Sequence, residues 1–298
     1  MGEPSPIRNV SDTALWVAIW RAMESERPDA IFHDPYARRL GGTRGEAIAA
    51  RMGGPKMNWP IVVRTAVMDE IILRCIRDGV ANVLNLAAGL DTRPYRLELP
   101  ASLRWLHVDL PEMADYFRDG MAGESPRCQL ELVAADMRDA DARRALFERV
   151  AALPGTTLVI TEGLLLYLEA DDVVALSRDL HDIAGASWWL TDLASPALLK
   201  FLAHRWKPTL VQGNAPFRFG PANGSAFFAP QGWCEIEFRS TLIDAWKLDR
   251  KMPFAWLLRA LSWLQPRRRR EDAVRMSSVV LMGRSQATQP IHATETSQ

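Results

Sequence analysis

Asp109, Asp136, Glu162 and Asp192 each close or follow a short apolar run, and Gly89 follows another. Carboxylates in such places can accept hydrogen bonds from sugar hydroxyls or face a cation. A glycine there lets the backbone approach a ligand that a larger side chain would hold away. Asp109 lies twenty residues after Gly89, the separation at which nucleoside-binding α/β folds place the acid that takes ribose. One acid at a strand end is as readily a helix cap. Five strand ends carrying a glycine or an acid point instead to a nucleoside-type ligand. The turn Ala87-Ala88-Gly89-Leu90-Asp91-Thr92 lacks the first and third glycines of the dinucleotide fingerprint, which disfavours a nicotinamide-dependent oxidoreductase.

Those residues need strands to carry them. Residues 81–86, 104–109, 130–136, 156–162 and 187–192 are short and mostly apolar, as in a parallel sheet covered on both faces. Helical periodicity fills the spaces, over 111–121, 139–150 and 171–183. The alternation predicts a doubly wound α/β domain, with ligands outside the carboxyl ends of its strands. Upstream, helices are predicted over 11–26, 37–50 and 61–76, and Arg64 and Asp69 fall outside the apolar face of the last. The single domain 1–298 thus divides into a helical cap at 7–60, a binding core at 61–194, an aromatic-rich insertion at 195–265 that covers the ligand edge, and a terminal strand at 276–284. A short amphipathic helix at 254–264 reads as part of that lid, and the polar stretches 1–6 and 285–298 read as mobile tails.

Composition narrows the function classes. The 298 residues are 48% hydrophobic and 24% charged, so a sizeable core is available. Thirty-six basic residues balance thirty-six acidic ones, which leaves no electrostatic footprint for nucleic acid. Cys75, Cys128 and Cys234 make neither a zinc spacing nor a disulfide framework, so no metal is expected. No run approaches the roughly twenty apolar residues of a membrane span, and the expected location is the cytoplasm, without membrane attachment. The oligomeric state is left open.

Taken together, Asp34-Pro35-Tyr36-Ala37, Val63-Arg64-Thr65 with Asp69, Asn85-Leu86-Ala87-Ala88-Gly89-Leu90-Asp91-Thr92-Arg93, Val108-Asp109-Leu110-Pro111, Ala135-Asp136-Met137-Arg138 and Glu162-Gly163 with Tyr167-Leu168 resemble the leucine carboxyl methyltransferase family, including its bacterial polyketide O-methylating branch. The resemblance runs from about Asn9 to Gly283. It implies a class I, Rossmann-like methyltransferase with a mostly parallel seven-stranded sheet and S-adenosylmethionine as cofactor. By the same resemblance Arg64 pairs with the methionine carboxylate, Ala87, Gly89 and Asp91 form the turn against the cofactor, and Asp109 with Leu110 holds the ribose. Asp136 and Met137 flank adenine, and Glu162 faces the cationic amino-acid end. The family turn usually carries glycine where Ala87 stands, which predicts a displaced turn or weaker cofactor binding.

Methyl transfer from a sulfonium asks the protein to align acceptor, methyl and sulfur while excluding water. A carboxylate acceptor arrives ionised at neutral pH and needs no base. A phenol or alcohol would need one, with His33, His204 and Tyr167 as candidates. Arg93, Arg96 or Arg21 could hold an anionic acceptor. The expected catalytic set is therefore Glu162, Tyr167 and Arg93, acting on a small carboxylic acid that is apolar or polyketide-like. The alternatives are O-methylation of a phenol or alcohol, and a non-catalytic cofactor-binding or interaction protein on the same fold.

Overall fold

The apolar run Val80–Leu86 forms strand β1, near the middle of a sheet whose neighbours are set by parallel pairing on both sides. A computed structural model describes residues 12–54, 57–212, 216–251 and 266–285. Helices α1 (Asp12–Ser25), α2 (Ala37–Arg51) and α3 (Trp59–Arg77) precede β1. After it come α4 (Arg93–Arg96), β2 (Arg104–Asp109), α5 (Pro111–Gly120), β3 (Gln129–Ala134), α6 (Ala140–Ala151), β4 (Thr156–Thr161) and α7 (Ala170–Asp182). The chain continues through β5 (Trp188–Ala194), α8 (Pro196–Gln212), β6 (Trp233–Ser240), α9 (Thr241–Lys247), α10 (Arg267–Val274) and β7 (Ser277–Arg284). The seven strands lie in the order β3-β2-β1-β4-β5-β7-β6, with β7 antiparallel to both of its neighbours.

Alternation along each strand sorts the core into two layers. Leu84 and Leu86, Val159, Trp189, Val280 and Met282 pack with Leu146, Phe147 and Val150 of α6 and with Val173, Leu176 and Leu180 of α7. Val83, Leu158, Ile160, Leu190, Val279 and Leu281 point the other way, against Val63, Val67, Met68, Ile71 and Ile72 of α3. Pro60 and Pro111 sit in the first turns of α3 and α5, where no backbone N–H is needed. Leu15 and Ala18 of α1 and Leu40 of α2 pack with Leu90, Tyr95 and Phe117, which lays the N-terminal helices over the turn that follows β1.

One boundary differs from the sequence reading. Residues 233–240, assigned to the insertion, are strand β6, paired along β7 with an irregularity between Glu235 and Glu237. That bulge and the edge position, which leaves Ile236 half exposed, break the period-two pattern by which a strand is recognised. The expected helix at 254–264 and the tail residues 1–6 and 286–298 lie outside the described residues.

A candidate cofactor site at the carboxyl edge of the sheet

Parallel strands deliver their carboxyl ends to one edge, so the turns after β1, β2, β4 and β5 meet there although they are far apart in sequence. Leaving β1, the backbone passes through Ala87 at φ 50° and Gly89 at φ 55°, both left-handed. A side chain at Gly89 would also be crowded, because a Cβ would stand 3.1 Å from the Ala14 methyl. At Ala87 the same conformation costs roughly 1 kcal/mol. The Gly89 N–H donates to Asp109 Oδ2 at 2.6 Å, and the Leu110 N–H donates to Asp109 Oδ1 at 2.7 Å. Burial raises the Asp109 carboxyl above its ordinary value, against the pull of those two N–H groups. Each oxygen keeps acceptor capacity beyond the one bond, as ribose hydroxyls require.

A web of charge occupies the other half of the edge. Arg64 of α3 donates from Nε to Glu162 at 3.0 Å and from Nη1 to Asp192 at 2.9 Å. Arg93, only 2% exposed, donates from Nε to Asp69 at 2.6 Å and from Nη1 to Asp91 at 2.8 Å and Glu162 at 2.7 Å. Arg96 takes both oxygens of Asp69, and Arg21 donates to Asp34 at 2.9 Å and to the Leu90 carbonyl at 2.5 Å. Although burial pushes the Glu162 carboxyl up, Arg93 and Arg64 pull it down to about 2. Four guanidiniums face five carboxylates, so the web carries one negative charge in excess.

That imbalance is a test of fit. A buried charge left unmatched is costly, so an excess of one anion suits a ligand with one net positive charge. A sulfonium-bearing amino acid, with its ammonium and carboxylate, has that charge. Arg64 retains Nη2 for the carboxylate, beside Glu162 and Asp192 for the cationic groups.

The edge beyond β3 is built differently. Asp136 lies two residues beyond β3, a third exposed, and is paired with Arg138 at 2.7 Å. Met137 is half-buried against the α6–α7 core, and its carbonyl accepts from Arg143 at 2.8 Å. Tyr167 ends a 3-10 turn, Leu165–Tyr167, with its ring 5.6 Å from Phe217. Burial raises its phenol pKa, partly offset by a hydrogen bond with Thr13. The Arg218 N–H donates to the Leu166 carbonyl at 2.7 Å, which fixes the Phe217 segment over that turn. Phe217, Leu202 and Ile61 in turn pack against Trp16 and Trp20, so an apolar wall adjoins the charged edge. His33 and His204 are exposed. Among the described residues no cluster of three or more side chains could hold a metal ion.

The sequence-derived set Arg64, Ala87, Gly89, Asp91, Asp109, Leu110 and Glu162 thus lies on or beside one edge. Sequence reading put Asp192 on the ligand edge but gave it no role in the site. It also missed the Asp69–Arg96 and Arg21–Asp34 pairs, for which neither spacing nor pattern gave a signal.

A seven-stranded sheet of this order, with one antiparallel strand and an acid-lined carboxyl edge, defines the class I S-adenosylmethionine-dependent methyltransferases. Within that class, the profile of the leucine carboxyl methyltransferase family matches residues 14–181, and the chain belongs to that family. Its cofactor is S-adenosylmethionine. A Parafrankia sp. protein named as a candidate S-adenosyl-L-methionine-dependent methyltransferase is 32% identical over 82% of this chain and 83% of its own length. A Mycolicibacterium paratuberculosis protein of the same name is 34% identical over 59% of this chain, a stretch that spans 64% of the relative. Among solved structures, a DUF574 family protein from Streptomyces avermitilis superposes with a TM-score of 0.55 at 15% identity, over 90% of this chain and 96% of the other, a likeness of fold alone.

Proposed function

We propose that the protein transfers the methyl group of S-adenosylmethionine to a carboxylate oxygen of a small acceptor, apolar or polyketide-like in its body. One observation carries the choice of a carboxylate: Glu162, the acid nearest the cationic end of the site, is held at about 2 by Arg93 and Arg64, where it is a very weak base. Asp69, Asp91 and Asp192 are also committed to arginines, Asp109 to two backbone N–H groups, and both candidate histidines are exposed. Tyr167 has its phenol raised, so it stays protonated near neutral pH. An acceptor that arrives without a proton asks nothing of these groups. Phenols and alcohols do.

The cofactor supplies a methyl group on a sulfonium. In this reading Arg64 grips its carboxylate with the remaining donor, and Glu162 and Asp192 balance its positive charges. Asp109 takes the ribose hydroxyls, and Asp136 and Met137 flank adenine. Arg93 is buried with Nε and Nη1 on three carboxylates and holds Glu162 in place rather than touching the acceptor. Tyr167 and Phe217 form the apolar flank on which the acceptor body rests and from which water is displaced.

The test is a melting shift with S-adenosylmethionine, followed by a panel of carboxylic acids and phenols scored for S-adenosylhomocysteine and for methyl ester or ether. Arg64→Ala should abolish the shift, and methyl esters should form. A shift retained in Arg64→Ala removes this account of cofactor anchoring. Ethers from phenols without esters move the assignment to the phenol reading, and cofactor binding with no product from any acceptor favours the non-catalytic one.

A further inference from the structure

Beyond the residues that touch cofactor in the proposed reading, the turn that receives it is held by groups on β2, and one of them is a buried histidine with no part in the chemistry. His107 is fully buried in the middle of the fold, with its ring stacked on Phe117 at 4.3 Å and 15°. Its Nε2 lies 3.2 Å from the Gly89 carbonyl oxygen. A carbonyl can only accept, so Nε2 carries the proton. Nδ1 is buried and has no hydrogen-bond partner among the described residues, which suits a bare lone pair better than a charged N–H. The ring is therefore the neutral Nε2–H tautomer, and burial lowers its pKa to about 4.

Three consecutive residues of β2 bind the turn. His107 donates to the Gly89 carbonyl, the Val108 carbonyl accepts from the Ala88 N–H at 3.0 Å, and Asp109 accepts from the Gly89 N–H. His107 and Asp109 share a strand face and take the two polar groups of one glycine. The turn needs this restraint, because Ala87 is left-handed without being glycine and relaxing its backbone would relieve strain. Any rotation of Gly89 would also swing the N–H that orients Asp109.

We infer that His107 is a positioning residue for the cofactor: by fixing the Gly89 carbonyl it holds the turn and the Asp109 carboxylate in the pose that receives the ribose, without touching the cofactor itself. This rests on the cofactor reading above. A phenylalanine at this position would keep the stack on Phe117 but leave the Gly89 carbonyl unpaired. A glutamine restores an N–H donor.

Titration with S-adenosylmethionine and S-adenosylhomocysteine, alongside urea unfolding of the cofactor-free proteins, tests it. His107→Phe is expected to bind roughly tenfold more weakly, and His107→Gln to recover to within about threefold of the parent, with the two variants unfolding at similar urea concentrations. Unchanged affinity in His107→Phe would overturn the inference, as would an equal loss in both variants. Nitrogen NMR of the unsubstituted protein gives a check that does not depend on either variant folding: a neutral ring protonated on Nε2 is expected, and protonation on Nδ1 refutes the assignment. If the unsubstituted protein binds neither ligand, the cofactor reading itself fails and this inference with it. Binding by the parent with no effect of His107→Phe sinks the inference alone.

Discussion

The two ends of the sheet's carboxyl edge are made from different material. On the β4–β5 side, Arg64 and Arg93 reach from α3 and α4 to Glu162, just after β4, and to Asp192, near the end of β5, and Nε and Nη1 of each are met by carboxylates that are themselves nearly covered. On the β3 side, Asp136 and Arg138 form a pair that water reaches, just beyond a strand whose residues are mostly half-buried or exposed. The same kind of bond, guanidinium to carboxylate, thus does two jobs. In the covered web it is part of the fold, because removing either partner strands a charge out of water. On the open rim it can be broken at little cost, so the side chain is free to turn toward a ligand.

Cutting the web should have the largest effect. Arg93→Ala leaves Asp69, Asp91 and Glu162 short of a partner, and a loss of roughly 3–5 kcal/mol in unfolding free energy is expected from denaturant titration. A loss below about 1 kcal/mol would show that the web is no more structural than the rim.

Acid should also separate the two ends. Glu162 sits at about 2 in the folded protein against an ordinary value of 4.5. The shift is downward, so the pairing stabilises fully above about pH 4.5, and that contribution disappears as the pH falls toward 2. Its size is on the order of 3 kcal/mol. Urea midpoints of the parent should fall across that window, and Glu162→Gln should fall less steeply. Parallel curves would mean that Glu162 titrates alike in both states.

Asp136→Ala should do least to the fold, within about 0.5 kcal/mol, since the broken pair is open to solvent. Cofactor affinity should drop roughly three- to tenfold, the worth of one hydrogen bond to a ligand. A stability loss as large as that of Arg93→Ala would erase the contrast between the ends.

Much of this architecture could be read from the chain. Residues 104–109 form a strand with the expected limits, and β1, β4 and β5 differ by one or two residues, because buried parallel strands announce themselves as short apolar runs between turns. The third strand ends at Ala134, two residues before Asp136. β6 escaped because an edge strand with a bulge has neither continuous burial nor clean alternation. Arg93 was legible as a charged residue beside the turn but not as a buried one. Its burial depends on Asp69, 24 positions earlier, and Glu162, 69 positions later.

Local order alone therefore settled where the first five strands lie, that those five are parallel, and which turn must come close to a ligand. Those follow from periodicity and from the few residue types a tight turn admits. Which charges are neutralised, which remain to meet a ligand, and whether His107 is a core residue or a support for the turn were set by long-range packing. A side chain's charge state and freedom depend on who its neighbours are in space, and strands brought together by a sheet acquire neighbours that no spacing along the chain encodes.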